Sequence, residues 1–157
     1  MVSERLRRLD RGGWSLMELL LVVAIIGILA AMAIPFFWTY WQSAAIRAGA
    51  QEMRVGLQQA KQLAIRNRRN ICVFPFGGNG YQYRQDTCGG AAIVMPGTDG
   101  AGTFHLQQTN VTVTLNAGPP IFTPLGAAAP GGRFNVIRPG TNVLTITVTP
   151  AGQITTP

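Results

Sequence analysis

Side chains that bind metals or carry acid–base chemistry are scarce in this sequence. His105 is the sole histidine, Cys72 and Cys88 are the only cysteines, and Asp and Glu together number 6. There is no C-x-x-C pair and no His/Cys cluster, so no metal site is expected. Beyond residue 70 the acidic residues are Asp86 and Asp99, both in glycine-rich loops, and they form no triad-like motif with a nucleophile. The chain is therefore not expected to be an enzyme, and no cofactor is expected.

Charge is also missing from one long stretch. Trp14 to Ile34 is 21 residues in which Glu18 alone is ionisable. At about 1.5 Å per residue they make a helix about 31 Å long, enough to cross the hydrocarbon core of a bilayer. A carboxylate in such a helix costs about 2.5–3.5 kcal/mol at mid-membrane and less near an end, so it calls for a cationic partner. A cut between Gly13 and Trp14 would free an α-amino group four residues before Glu18. Two such helices, packed with an axial offset, pair the amine of one with the carboxylate of the other. Two plainer readings stand beside this one: a secretory signal cut after Ala31-Met32-Ala33, and a simple single-pass anchor.

What is present is basic. The net charge is +7, of which residues 1–13 supply +2 through Arg5, Arg7, Arg8 and Arg11 against Glu4 and Asp10. Cations before an apolar span stay in the cytoplasm, which places the remainder on the far side.

The order Gly13, aromatic Trp14, Ser15, two apolar residues and Glu18 resembles the class III signal of type IV prepilins and pseudopilins. Gly27 and Pro35 fall where that family's first helix has its flexible points, and Trp14 stands where Phe is usual. The resemblance implies cleavage after Gly13 by a prepilin peptidase, N-methylation of Trp14, and Glu18 needed for methylation, assembly or both. It also implies a bacterial inner-membrane location with the head in the periplasm. Entry into a filament would follow, with other pilins and an inner-membrane assembly platform as partners.

Residues 36–70 read as a continuation of the helix. Phe36, Phe37, Trp38, Tyr40 and Trp41 suit a membrane–water interface. Ile46, Met53, Leu57, Ala60 and Ala64 then recur at helical spacing, with Arg47, Arg54 and Lys61 between them. Gly49 and Gly56 each weaken an exposed helix by about 1 kcal/mol. Arg66, Arg68 and Arg69 close it, either complementing the helix dipole or forming an anion-binding patch.

Residues 71–157 change to period two. Strands are expected at Ile71–Phe76, Tyr81–Arg84, Ala92–Met95, Thr103–Gln107, Val111–Asn116, Arg133–Ile137, Val143–Thr149 and Gln153–Thr155. These 87 residues are marginal for a core of their own. The expected fold is α+β: a long N-terminal helix, transmembrane then amphipathic, whose C-terminal half packs on an antiparallel sheet. Cys72 and Cys88, with 15 residues between them, form a disulfide in an oxidising compartment; two free thiols are the other reading.

Leu57-Gln-Gln-Ala60-Lys61-Gln-Leu-Ala64-Ile65, followed by Ile71-Cys72-Val73, resembles the helix-to-strand junction of the GspH/FimT group of minor pseudopilins. Ile121-Phe122-Thr123-Pro124-Leu125-Gly126 resembles that group's F-x-P-x-G stretch. The group implies a minor subunit of a type IV pilus or of a type II secretion pseudopilus. Some FimT-type pilins bind DNA through a G-R-x-R pattern. Gly132-Arg133-Phe134-Asn135 keeps only its first arginine, with Arg138 further on, so DNA is the alternative partner through Arg133 and Arg138 and the helix-end Arg66, Arg68 and Arg69.

Overall fold

The computed structural model describes residues 15–108, 110–140 and 143–156. The leader, residues 1–13, and Trp14 lie outside them. The chain divides into two compact units, Met1–Thr39 and Tyr40–Pro157. A single helix, α1 (Leu16–Asn67), contributes to both.

In the first unit nearly every side chain from Leu16 to Thr39 is exposed, including Leu20, Ile26, Leu29 and Trp38. Ser15 precedes the first helical residue and Glu18 stands in the first turn, the S-x-x-E capping-box spacing that also suits a carboxylate to the helix N-terminus.

In the second unit α1 buries one stripe: Ile46, Ala50, Met53, Leu57, Ala60, Leu63 and Ala64. Steps of three and four residues keep these on one face, because side chains so spaced lie above one another. The helix stops at Asn67. Arg68 takes the left-handed conformation (φ 53°), while its N–H and that of Arg69 reach back to the carbonyls of Ile65 and Ala64. This Schellman closure satisfies two orphan carbonyls, and it leaves only Arg66 of the three arginines within the last turn.

The expected single sheet is two four-stranded antiparallel sheets. The first runs in the order β3 (Thr103–His105), β2 (Gly80–Gln85), β1 (Ile71–Phe76), β5 (Ile121–Phe122). The second runs β4 (Thr112–Ala117), β6 (Gly132–Ile137), β7 (Leu144–Val148), β8 (Ile154–Thr155). Instead of a ladder, a bond from Val113 N to Gly78 O (2.7 Å) ties β4 to the β1–β2 turn. Pro119 and Pro120, which have no N–H to donate, follow β4 after Gly118.

Ala92–Met95 is not a strand. Gln85 N bonds Ala91 O and Ile93 N bonds Tyr83 O, but Pro96 and Gly97 (φ 95°) then turn the chain away from β2. Gln107, expected at the end of β3, instead gives its N–H to the Glu52 carboxylate on α1 (3.0 Å). The two-residue β5 lies in a segment that carried no alternating pattern.

The second sheet buries alternate residues against the core, whereas residues 71–73 and 80–83 of the first sheet are buried without a break. Val73, Tyr81 and Tyr83 come from the first sheet, and Val113, Phe134, Val136, Ile146 and Val148 from the second, with Phe122 and Leu106 completing one core.

Candidate functional site

The sequence points to three places: the start of α1, the disulfide and the arginines. Gly13 and Trp14, the expected cleavage and methylation positions, lie outside the described residues. Glu18 is exposed on the first turn of α1, and no ion pair to it occurs among the described residues.

Cys72 and Cys88 are joined by a disulfide that ties β1 to the loop after β2. Arg84, which the sequence did not single out, organises that loop. Its guanidinium donates to Cys88 O (3.1 Å) and to Gln82 Oε1 (2.9 Å) and lies over the Phe74 ring. Cys72 is fully buried, so the link also anchors the loop to the core.

The arginines do not form one patch. Arg66 lies in the last turn of α1 and Arg68 and Arg69 follow its end, where Arg69 stands 3.9 Å from Asp86 and donates to Gln85 Oε1 (3.4 Å). Arg133 belongs to the second sheet and faces outward, paired across the ladder with Thr147. Its neighbours on that face are Asn135, Thr145 and Thr114, and Arg138 follows the end of β6.

The glycines of α1 mark where the head closes on the helix. A Cβ on Gly56 would collide with the Tyr81 hydroxyl, and one on Gly49 would press on Val111 Cγ1 at 2.9 Å. Tyr83 donates its hydroxyl proton to Gly56 O (2.6 Å), and the rings of Tyr81, Tyr83 and Phe104 cluster with centroids 5.0–5.7 Å apart, Tyr81 stacked on Phe104 and Tyr83 tilted to both. Burial pushes both phenols above their ordinary range.

Beside this cluster a groove runs along one flank of α1, between the helix and residues 93–107. It comprises two adjoining hollows of about 480 and 610 Å³ that share Gln59, Pro96 and Phe104. Glu52 and His105 stand at one end and Arg66 at the other. The Asp99 carboxylate accepts from Thr103 N (2.7 Å) and Ala101 N (3.0 Å) and pairs with His105 (3.1 Å). These contacts, the Thr103 N–H first, stabilise the carboxylate and hold its pKa below the usual carboxylate range.

Residues 49–152 match the family described as Type II transport protein GspH. The chain belongs to that family. The match covers most of the buried part of α1 and every strand but β8, and membership makes the chain a structural subunit rather than an enzyme. The fold is similar to that of the type IV minor pilin FimU of Pseudomonas aeruginosa: 18% identity, TM-score 0.55, 74% of this chain and 90% of that one. It is also similar to the minor pseudopilin EpsH of the Vibrio cholerae type II secretion system, with 12% identity and a TM-score of 0.52, over 69% and 92% of the two chains. No curated protein sequence matches this GspH-family chain.

Proposed function

We propose that this GspH-family chain is a minor pilin or pseudopilin made as a precursor. Prepilin peptidase cuts it between Gly13 and Trp14, and the new amine of Trp14 is methylated. Residues 14–35 hold it in a bacterial inner membrane, with residues 1–13 cytoplasmic before cleavage and the head periplasmic. An assembly platform then moves it into a type IV pilus or a type II secretion pseudopilus.

The observation that carries this reading is the surface of residues 16–39. Leu16, Leu20, Ile26, Ile28 and Leu29 expose apolar side chains around the whole helix, and one carboxylate stands in its first turn. A helix apolar all round is at rest in lipid or among other such helices. In a filament core Glu18 would neutralise the amine of a neighbouring subunit, a pairing that stabilises only if both charges are matched when buried.

The test uses Glu18→Ala in a host with its own peptidase and filament machinery. The variant should stay in the membrane while its share in sheared filaments falls to background. Unchanged filament recovery would contradict the proposal. The DNA reading is not carried forward, because Arg69 is engaged by Asp86 and Gln85, and Arg133 stands on a face of threonines and Asn135.

A further inference from the structure

We infer that the end of the head beside residues 40–47 of α1 is a docking surface for anionic phospholipid headgroups, with Arg47 and Arg138 as its cations and Tyr40 and Val143 as its apolar contacts. The inference rests on the membrane reading above and deepens it. The bilayer holds the head as well as the apolar helix.

The second sheet runs along α1, and two contacts fix which of its ends is which. Past the end of β7, Gly152 O accepts from Lys61 Nζ (3.0 Å). Toward the other end a Cβ on Gly49 would lie 3.6 Å from Val136 Cγ1, and Leu144, the first residue of β7, lines a hollow of about 170 Å³ with Arg47, Ala50 and Gln51. Arg138 comes two residues after Val136, about 7 Å of strand, and Val143 comes just before Leu144. Both therefore stand toward residue 40 of α1 and away from residue 67.

This end is basic and partly apolar. Tyr40 is 69% exposed and precedes Arg47 by seven residues, so the two are in line on one flank of the helix. Arg47 is exposed, and its guanidinium makes no hydrogen bond or ion pair among the described residues. Arg138 is half-buried and Val143 is 49% exposed. Among the described residues no carboxylate shares this surface. Glu52 lies about 140° round the helix from Arg47 and accepts from Gln107 N (3.0 Å), Asp99 pairs with His105, and Asp86 stands by Arg69.

Depth selects the occupant. Tyr40 follows Pro35 by five residues, about 8 Å of helix, which is close to the thickness of a headgroup layer. A tyrosine at that depth buries its ring and wets its hydroxyl. Arg47 is twelve residues past Pro35, about 18 Å, and its long side chain leans toward the helix N-terminus. Its charge thus comes within about one Debye length, roughly 8 Å, of the headgroups. Cations so placed are drawn to anionic headgroups and gain little from zwitterionic ones. Passage from the bilayer into a filament would have to release this contact.

The experiment uses the full chain in vesicles of phosphatidylcholine alone, or of equal parts phosphatidylcholine and phosphatidylglycerol. Val143→Cys carries a fluorophore, and some phosphatidylcholine headgroups carry a nitroxide quencher. The native cysteines are already paired, so the new thiol takes the label. The ratio of docked to free heads, read from quenching, should be about tenfold higher with phosphatidylglycerol. Arg47→Gln with Arg138→Gln should abolish that difference, as should salt of about 1 M, where the Debye length is about 3 Å. Arg47→Gln alone, at an exposed position, should lower the ratio about threefold, which guards against a double variant that fails to fold. A label on Val94→Cys, exposed and next to Met95 in the hollow that Arg66 lines, should not respond. Equal quenching at Val143→Cys in the two vesicles overturns the inference. So does quenching that follows the protein-to-lipid ratio instead of phosphatidylglycerol, which would give the surface to a second copy. Either result, from chain that resists alkaline extraction, leaves the filament reading intact. Chain stripped from the vesicles by alkali overturns both.

Discussion

Residues 16–39 and residues 40–67 belong to one helix, yet they answer to different surroundings. In the first half Leu19, Leu20, Ile26 and Leu29 are all more than half exposed; in the second, Met53, Leu57, Ala60 and Ala64 are fully buried. Gly27 has nothing within 4 Å of a Cβ built on it, whereas Gly56 sits against the Tyr81 hydroxyl. The second half is completed by its own chain. No described residue covers the first half, whose apolar surface suits lipid or the helices of other subunits under the proposed function.

The sharpest way to break this comparison is to hollow each half in turn. Phe122→Ala, at a fully buried position in the head, should lower the stability of the detergent-solubilised chain by about 3–5 kcal/mol. Ile26→Ala should move the melting temperature of the head by no more than an ordinary surface change, within about 0.5 kcal/mol. Comparable losses from both would mean that the two halves share one core.

Reducing the Cys72–Cys88 link should cost the head about 3 kcal/mol, the value for a loop of that size, and leave the helicity of residues 16–39 untouched. Denaturant titration with and without reductant, followed by Tyr fluorescence and far-ultraviolet dichroism, separates the two.

The glycines give a smaller contrast. Gly56→Ala should destabilise by about 1–3 kcal/mol, because Tyr81 has to move and the Tyr83 bond to Gly56 O is disturbed, although alanine is the better helix former. Gly27→Ala should leave the head's melting temperature where it is. If Gly56→Ala were neutral, the close approach of Tyr81 to α1 would be wrong.

The smallest effect is in acid. The Thr103 N–H, together with the Ala101 N–H and His105, lowers the Asp99 carboxyl below its ordinary value of 3.8. A carboxyl lowered in the folded state stabilises above its unfolded value, and the contribution fades as pH falls through the folded one. The head should therefore lose melting temperature below about pH 4, and Asp99→Asn should flatten that limb. An unaltered acid limb in the variant would remove Asp99 as its source.

These contrasts also mark what could be read from the sequence. Period 3.6 in Ile46, Met53, Leu57, Ala60 and Ala64 located the buried face of α1, since burial on one side leaves a repeating signal. Period two located β1, β6 and β7 within a residue or two. The division into two sheets left no such signal, because alternation tells which face is inward and not which neighbour lies alongside. Ala92–Met95 reads as a strand locally, but Pro96 and Gly97 turn it off the edge of β2 after two hydrogen bonds. Gly49 and Gly56 look like helix weaknesses until Val111 and Tyr81 are placed on them. Of the candidate site, the pattern around Glu18 was legible as a motif. The groove was not, because Gln59, Tyr83 and Phe104 meet only through tertiary packing.

The most direct measurement is the intact mass and N-terminal sequence of the protein extracted from membranes of a host with active prepilin peptidase, alongside Gly13→Ala. The account predicts a chain that starts at Trp14 and bears one added methyl group, with both features lost in the variant. A start near Ile34, or an uncut Met1 form despite active peptidase, would contradict it and leave the apolar helix a signal or a plain anchor.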